Sequence, residues 1–121
     1  MELNYEVARY VVRFYYYLMT DVELRTQGHL FVTMKATQGR SDRAAQAEAR
    51  KSRLSSELSD EPVVLQLARD GHNEFVMRTA ARILRDSGDK VFFNYCPRCG
   101  ELARTPTAKQ CRYCRNDWHA E

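Results

Sequence analysis

Four cysteines near the end of the chain are the residues whose type and spacing point most directly to chemistry. They stand as Cys96-Pro97-Arg98-Cys99-Gly100 and, after a spacer of eleven residues from Gly100 to Gln110, as Cys111-Arg112-Tyr113-Cys114-Arg115. Two thiolates three positions apart on a tight turn can bind one metal ion together, and a second such pair completes a tetrahedron of sulfur with metal–sulfur distances of about 2.3 Å. The expected ion is one Zn2+. Iron also accepts four thiolates in a tetrahedron, so ligand type leaves the two metals open. Disulfide pairing is the other alternative and belongs to secreted, cysteine-dense chains. The N-terminal stretch carries Glu2, Glu6 and Arg9 with no small-residue cleavage site, so no export signal is expected.

Four protein thiolates close the coordination shell and leave no position for water, so the expected metal is structural rather than catalytic. His119 lies five residues beyond Cys114 and can in principle replace a thiol; a surface histidine is the expectation. Gly100 follows the second thiol where a knuckle turn needs positive φ, and Pro97 stiffens that turn. Arg115 holds the equivalent place in the second turn, which implies strain or a different turn. Val91 to Tyr95 is β-branched and aromatic and reads as a strand. Residues 101–105 can return antiparallel to it, and 108–111 suggest a third strand. Trp118 is expected to cover the metal centre or the sheet. So small a unit buries little apolar surface, so metal binding is expected to supply much of its folding free energy.

Residues 91–119 resemble the zinc-ribbon group, a metal-clasped β-hairpin plus strand, on Cys96-Pro97-Arg98-Cys99-Gly100 and Cys111-Arg112-Tyr113-Cys114. Together with Leu102-Ala103-Arg104-Thr105-Pro106 and Asp117-Trp118-His119, the chain is similar to small bacterial proteins that place such a ribbon after a helical region. The resemblance implies a bacterial, cytosolic setting and carries no activity to transfer. Ribbons of this kind serve in transcription, translation and RNA processing, and equally as protein-docking knobs.

The rest of the chain has to hold that unit. The fold class expected is mainly α: a bundle of four to five helices over residues 1–88, with the small β zinc ribbon over 89–121. Residues 3 to about 19 carry apolar side chains at helical spacing around most of the circumference, leaving Glu6, Arg9, Arg13 and Thr20 as a narrow polar line. The run Phe14-Tyr15-Tyr16-Tyr17 reads as packing, with tyrosine hydroxyls at its rim. Thr20-Asp21-Val22-Glu23 is a capping box that starts a second helix to about Thr37, with Leu30, Phe31 and Met34 on its core face and His29 at the surface. A third helix, about Asp42 to Glu57, is rich in alanine and arginine. Ser59-Asp60-Glu61-Pro62 starts a fourth that ends at Gly71. Asn73 caps a fifth through Asp86, with Arg78, Arg82 and Arg85 mostly opposite its apolar face. No internal repeat is evident.

Hydrophobic residues make up 44 % of the 121 and charged residues 29 %, which excludes a disordered chain. The net charge of +3 is too small to imply nucleic acid by itself. Its distribution says more, since residues 35–53 and 90–121 are basic and the remainder is slightly acidic. No apolar run reaches the roughly 20 residues of a membrane span, and reduced cysteines at metal spacing point to the cytoplasm. No phosphate loop, nucleophile elbow or paired-histidine metal motif is present, so neither an enzyme nor a small-molecule substrate is expected. The leading expectation is a protein-interaction module, binding another protein or itself through the aromatic first helix or the ribbon. The alternative is nucleic-acid binding through Arg98, Arg104, Lys109, Arg112 and Arg115 on the ribbon with Arg40, Arg43, Arg50, Lys51 and Arg53 on the third helix.

Overall fold

Asn4 opens the first helix by accepting the Val7 N–H on its side-chain oxygen at 2.9 Å, and α1 then runs Tyr5–Phe14. The computed structural model describes residues 3–37 and 58–119, except for the side chains of residues 34–37. The third helix expected at Asp42 to Glu57, with Arg50, Lys51 and Arg53, lies outside the described residues, as do Arg40 and Arg43.

The expected helix to residue 19 stops five residues early. Tyr15 leaves helical geometry at φ −123° and ψ 33°, and Tyr16–Leu18 form a 3-10 turn. Tertiary contact explains the break. Tyr15 is buried and its hydroxyl meets the backbone of Phe92, whereas Tyr16 and Tyr17 turn out to solvent. Aromatic residues have middling helix propensity, so a long-range hydrogen bond easily outweighs continuation of the helix.

The capping box forms as expected: the Glu23 N–H donates to Thr20 Oγ1 at 3.1 Å and the Thr20 N–H to Glu23 Oε1 at 2.8 Å. It starts α2, Asp21–Thr37. Leu30 is buried on this helix, but Phe31 is half exposed and Val32 takes the fully buried place. His29 accepts the Ser59 N–H on Nδ1 at 3.1 Å, tying α2 to the segment before the next helix. Pro62 stands in the first turn of α3, Pro62–Ala68, which packs on α2. α4 spans His72–Ser87, and Gly71 rather than Asn73 is its cap residue.

The core lies where α1 crosses α4. Val7, Ala8, Val11 and Val12 meet Phe75, Val76, Ala80 and Ile83. Each large side chain so buried contributes roughly 1.5–3 kcal/mol. Arg82 is not opposite the core face. It reaches α2, where Nε and Nη2 donate to the Glu23 carboxylate at 2.5 and 2.7 Å, and Nη2 also meets the Leu18 carbonyl at 2.9 Å. Among the described residues no helix is long and apolar enough to cross a membrane.

The tail packs on this core through Leu102, with Val91 and Phe93 beside it. The Tyr10 and Phe93 rings stack at 5.8 Å. The strands expected at 91–95, 101–105 and 108–111 reduce to two isolated antiparallel bridges, Tyr95 with Leu102 and Gln110 with Asp117. The ladder around the first bridge does not extend past Asn94, because the backbone groups of Phe92 are taken elsewhere. Phe92 donates its N–H to the Tyr15 hydroxyl at 3.0 Å and accepts from Tyr10 on its carbonyl at 2.7 Å. The Asn94 side chain donates to the carbonyls of Thr105 and Ala108 at 2.9 and 2.8 Å.

Candidate metal centre

Cys96 and Cys111 are buried, Cys114 is half-buried and Cys99 is exposed, and none is in a disulfide. Their four sulfurs lie within 4.8 Å of one another. Cys96 and Cys114 are 3.7 Å apart at Sγ, and Cys99 and Cys111 3.5 Å. A bonded pair would be near 2.05 Å. A tetrahedral site with metal–sulfur distances of about 2.3 Å has edges of roughly 3.8 Å. The residues therefore fit a metal ion held by four thiolates, and both of these contacts join one turn to the other.

Two near-identical backbone turns produce this geometry. The Cys96 N–H donates to the Glu101 carbonyl at 2.8 Å, and the Cys111 N–H to that of Asn116 at 2.8 Å. Ala103 bonds back to Asn94, and Trp118 to Lys109, each at 2.8 Å. In the first turn the N–H groups of Arg98 and Cys99 point at Cys96 Sγ, both at 3.4 Å. In the second those of Tyr113 and Cys114 point at Cys111 Sγ, at 3.3 and 3.4 Å. Every partner is displaced by the same 15 residues, and so are the two bridges. The tail thus carries an internal repeat that its side chains, apart from the thiols, do not display. It also resolves the place of Arg115: φ is +79° at Gly100 and +64° at Arg115, the same left-handed position in both turns.

The sulfurs compete for protons. Burial disfavours the Cys96 thiolate, but the N–H groups of Cys99 and Arg98, with the neighbouring thiols, bring its pKa down to about 6. The N–H groups of Cys114 and Tyr113 lower Cys111 in the same way, against its burial. At Cys99 the Glu101 N–H favours the thiolate, yet burial and the three facing sulfurs push it up to about 12. Four thiolates this close do not ionise together without a cation between them, and a divalent ion removes that conflict. The Asn116 side-chain amide adds a longer contact to Cys96 Sγ at 3.9 Å.

His119 stays outside the cluster, exposed and bonded to Asp117 through both its N–H and its ring. Trp118 is half-buried. Arg98, Arg104, Lys109, Arg112 and Arg115 are all exposed, but Arg104 and Arg112 line a groove against α1 and Arg112 pairs with Glu6. Glu6, Arg9 and Arg13, which in sequence form only the polar line of a helix, belong to that groove. The tyrosine hydroxyls that dock the tail gave one signal in advance, their density at the end of α1. Comparison with protein-family models, with curated proteins and with solved structures finds no match to this chain.

Proposed function

We propose that the chain is a non-enzymatic protein-interaction module, with its tail shaped by one structural zinc ion on Cys96, Cys99, Cys111 and Cys114 in the manner of a zinc ribbon. The convergence of four sulfurs at tetrahedral spacing carries this reading. A shell completed by protein sulfur has no site for substrate or water, which favours architecture over catalysis. Reduced thiols of this kind suit a reducing compartment such as the cytoplasm. The interaction half rests on exposed apolar side chains outside the core: Tyr16 and Tyr17 are 58 % and 62 % exposed, and Val63 and Leu65 nearly half. Elemental analysis of the purified chain should find one zinc per chain. Iron in its place overturns the zinc assignment, and no metal in an ordered protein overturns the metal reading. Sedimentation and pull-down with Tyr16→Ser/Tyr17→Ser should show weakened self-association or partner capture, and unchanged behaviour removes these tyrosines from the interface.

Nucleic-acid binding is the second reading, favoured by Arg98, Lys109 and Arg115. All three are exposed and have no acidic partner among the described residues. Phosphate binding weakens with salt, with a log–log slope near 0.9 per phosphate contact on duplex DNA. A gel shift with mixed DNA and RNA at two salt concentrations tests it, and no shift at low salt removes it.

A further inference from the structure

Between α1 and the cysteine-bearing tail lies a groove of about 490 Å³, within the roughly 300–1,000 Å³ of small-ligand sites. Its charge is one-sided. Arg9 and Arg13 of α1 and Arg104 and Arg112 of the tail line it, against the single carboxylate of Glu6. That carboxylate is already engaged: it pairs with Arg112 and accepts the Tyr113 hydroxyl at 2.6 Å. Arg9, Arg13 and Arg104 are exposed and have no acidic partner among the described residues. The whole chain carries only +3, so the groove concentrates positive charge well beyond the average of the surface. Like charges around a concavity repel one another and focus positive potential within it. Two of the guanidiniums are also pre-positioned by aromatic rings, Arg13 over Phe14 at 5.4 Å and Arg112 over Tyr113 at 4.9 Å.

We propose that this groove binds a small ligand with several phosphate charges, of the size of a nucleoside di- or triphosphate. The guanidinium fork matches phosphate oxygens two at a time, and a short oligophosphate places several charges within reach of Arg9, Arg13 and Arg104 together. Tyr113, half exposed, borders the same space. The assignment goes beyond the interaction reading and holds whichever metal the tail takes and whether or not the exposed tyrosines dock a partner.

Calorimetric titration of the full, metal-loaded chain with adenosine triphosphate and with inorganic tripolyphosphate tests it. Saturable binding at one ligand per chain is expected. The pair Arg9→Ala/Arg13→Ala should weaken it about a hundredfold, at about tenfold per charged contact. Both positions are exposed on a helix and alanine suits helix interiors, so circular dichroism should be unchanged. The pair Arg98→Ala/Lys109→Ala, outside the groove, should bind within about twofold of the parent. Absence of saturable binding overturns the proposal. Equal loss in both pairs overturns it too, because it signals diffuse attraction rather than a site. Citrate binding as tightly refutes the phosphate class, and binding of a single-stranded oligonucleotide alone assigns the arginines to nucleic acid instead.

Discussion

Cys99→Ser perturbs the metal centre with the least disturbance elsewhere, because Cys99 is the exposed member of the four. In a tetrahedron the ligand–ligand edge is about 1.63 times the metal–ligand distance. Edges of 3.7 and 3.5 Å correspond to metal–sulfur distances of about 2.1–2.3 Å, close to the zinc–thiolate value. X-ray absorption on the native chain should therefore show four sulfurs near 2.3 Å and no lighter ligand. A structural zinc site contributes roughly 10–16 kcal/mol at neutral pH, so an equal share per thiolate is about 2.5–4 kcal/mol. Loss of one thiolate should weaken metal affinity by roughly two to three orders of magnitude. The second consequence is local. Leu102 and the Phe92 backbone dock on α1 through the tail, whereas α1 and α4 pack on each other directly. Far-UV circular dichroism should keep most of its helical signal while the tail loosens. Competition with a chromophoric chelator reads the affinity. Unchanged affinity in Cys99→Ser, or fewer than four sulfurs around the native ion, refutes the assignment.

Three further outcomes follow from particular contacts. Arg82→Met leaves the Glu23 carboxylate, 9 % exposed, without its bidentate partner. Unfolding stability should fall by about 3 kcal/mol, partly restored by adding Glu23→Gln; a loss below about 1 kcal/mol in denaturant melts argues against a working ion pair. At the two left-handed positions opposite effects are expected. Gly100→Ala should cost about 1–2 kcal/mol from backbone strain alone, since no atom lies within 4 Å of the added methyl, and Arg115→Gly should stabilise the metal-loaded chain by up to about 1 kcal/mol. Equal and opposite-to-expected shifts in melting temperature would show the turns are not equivalent. Tyr10 is a pH-sensitive residue of the core: burial raises its phenol pKa, opposed by the Asn94 backbone N–H, with Tyr15 and Tyr95 adding to the rise. A raised folded value means that the stability held by the neutral phenol is fully present below the unfolded pKa of about 10. It is lost as pH climbs through the folded value. Tyr113, whose hydroxyl donates to Glu6, is raised as well, so ultraviolet titration should show two late-ionising tyrosines, one of which is lost in Tyr10→Phe; an undiminished late phase there assigns it elsewhere.

Much of the site was legible from spacing alone. Thiols at positions 96, 99, 111 and 114 carry their own geometry, because a turn of four residues brings its ends together whatever surrounds it. The glycine at 100 announced a left-handed residue for the same local reason, and the capping box at Thr20 to Glu23 formed because all its partners lie within one helical turn. The helix-forming runs around Val11 and Ile83 were equally readable from their period. The ribbon strands were not. Their flanking sequence has β character, but a strand needs a neighbour at the right register, and Tyr10 and Tyr15 take the backbone groups of Phe92. The repeat linking Arg98 to Tyr113 and Gly100 to Arg115 is not legible in the sequence either, because it resides in hydrogen bonds that any side chain permits.

Chain-local chemistry therefore determined which atoms can hold an ion, where helices start, and which faces are apolar. Tertiary structure alone decided that Tyr15 ends α1, that Arg82 crosses to Glu23, and that Arg9 and Arg13 share a groove with Arg104 and Arg112. These meetings join residues some 60 to 100 positions apart. Nothing in local propensity encodes such an approach; it follows from how the α1 and α4 faces bury each other and where that packing leaves the tail.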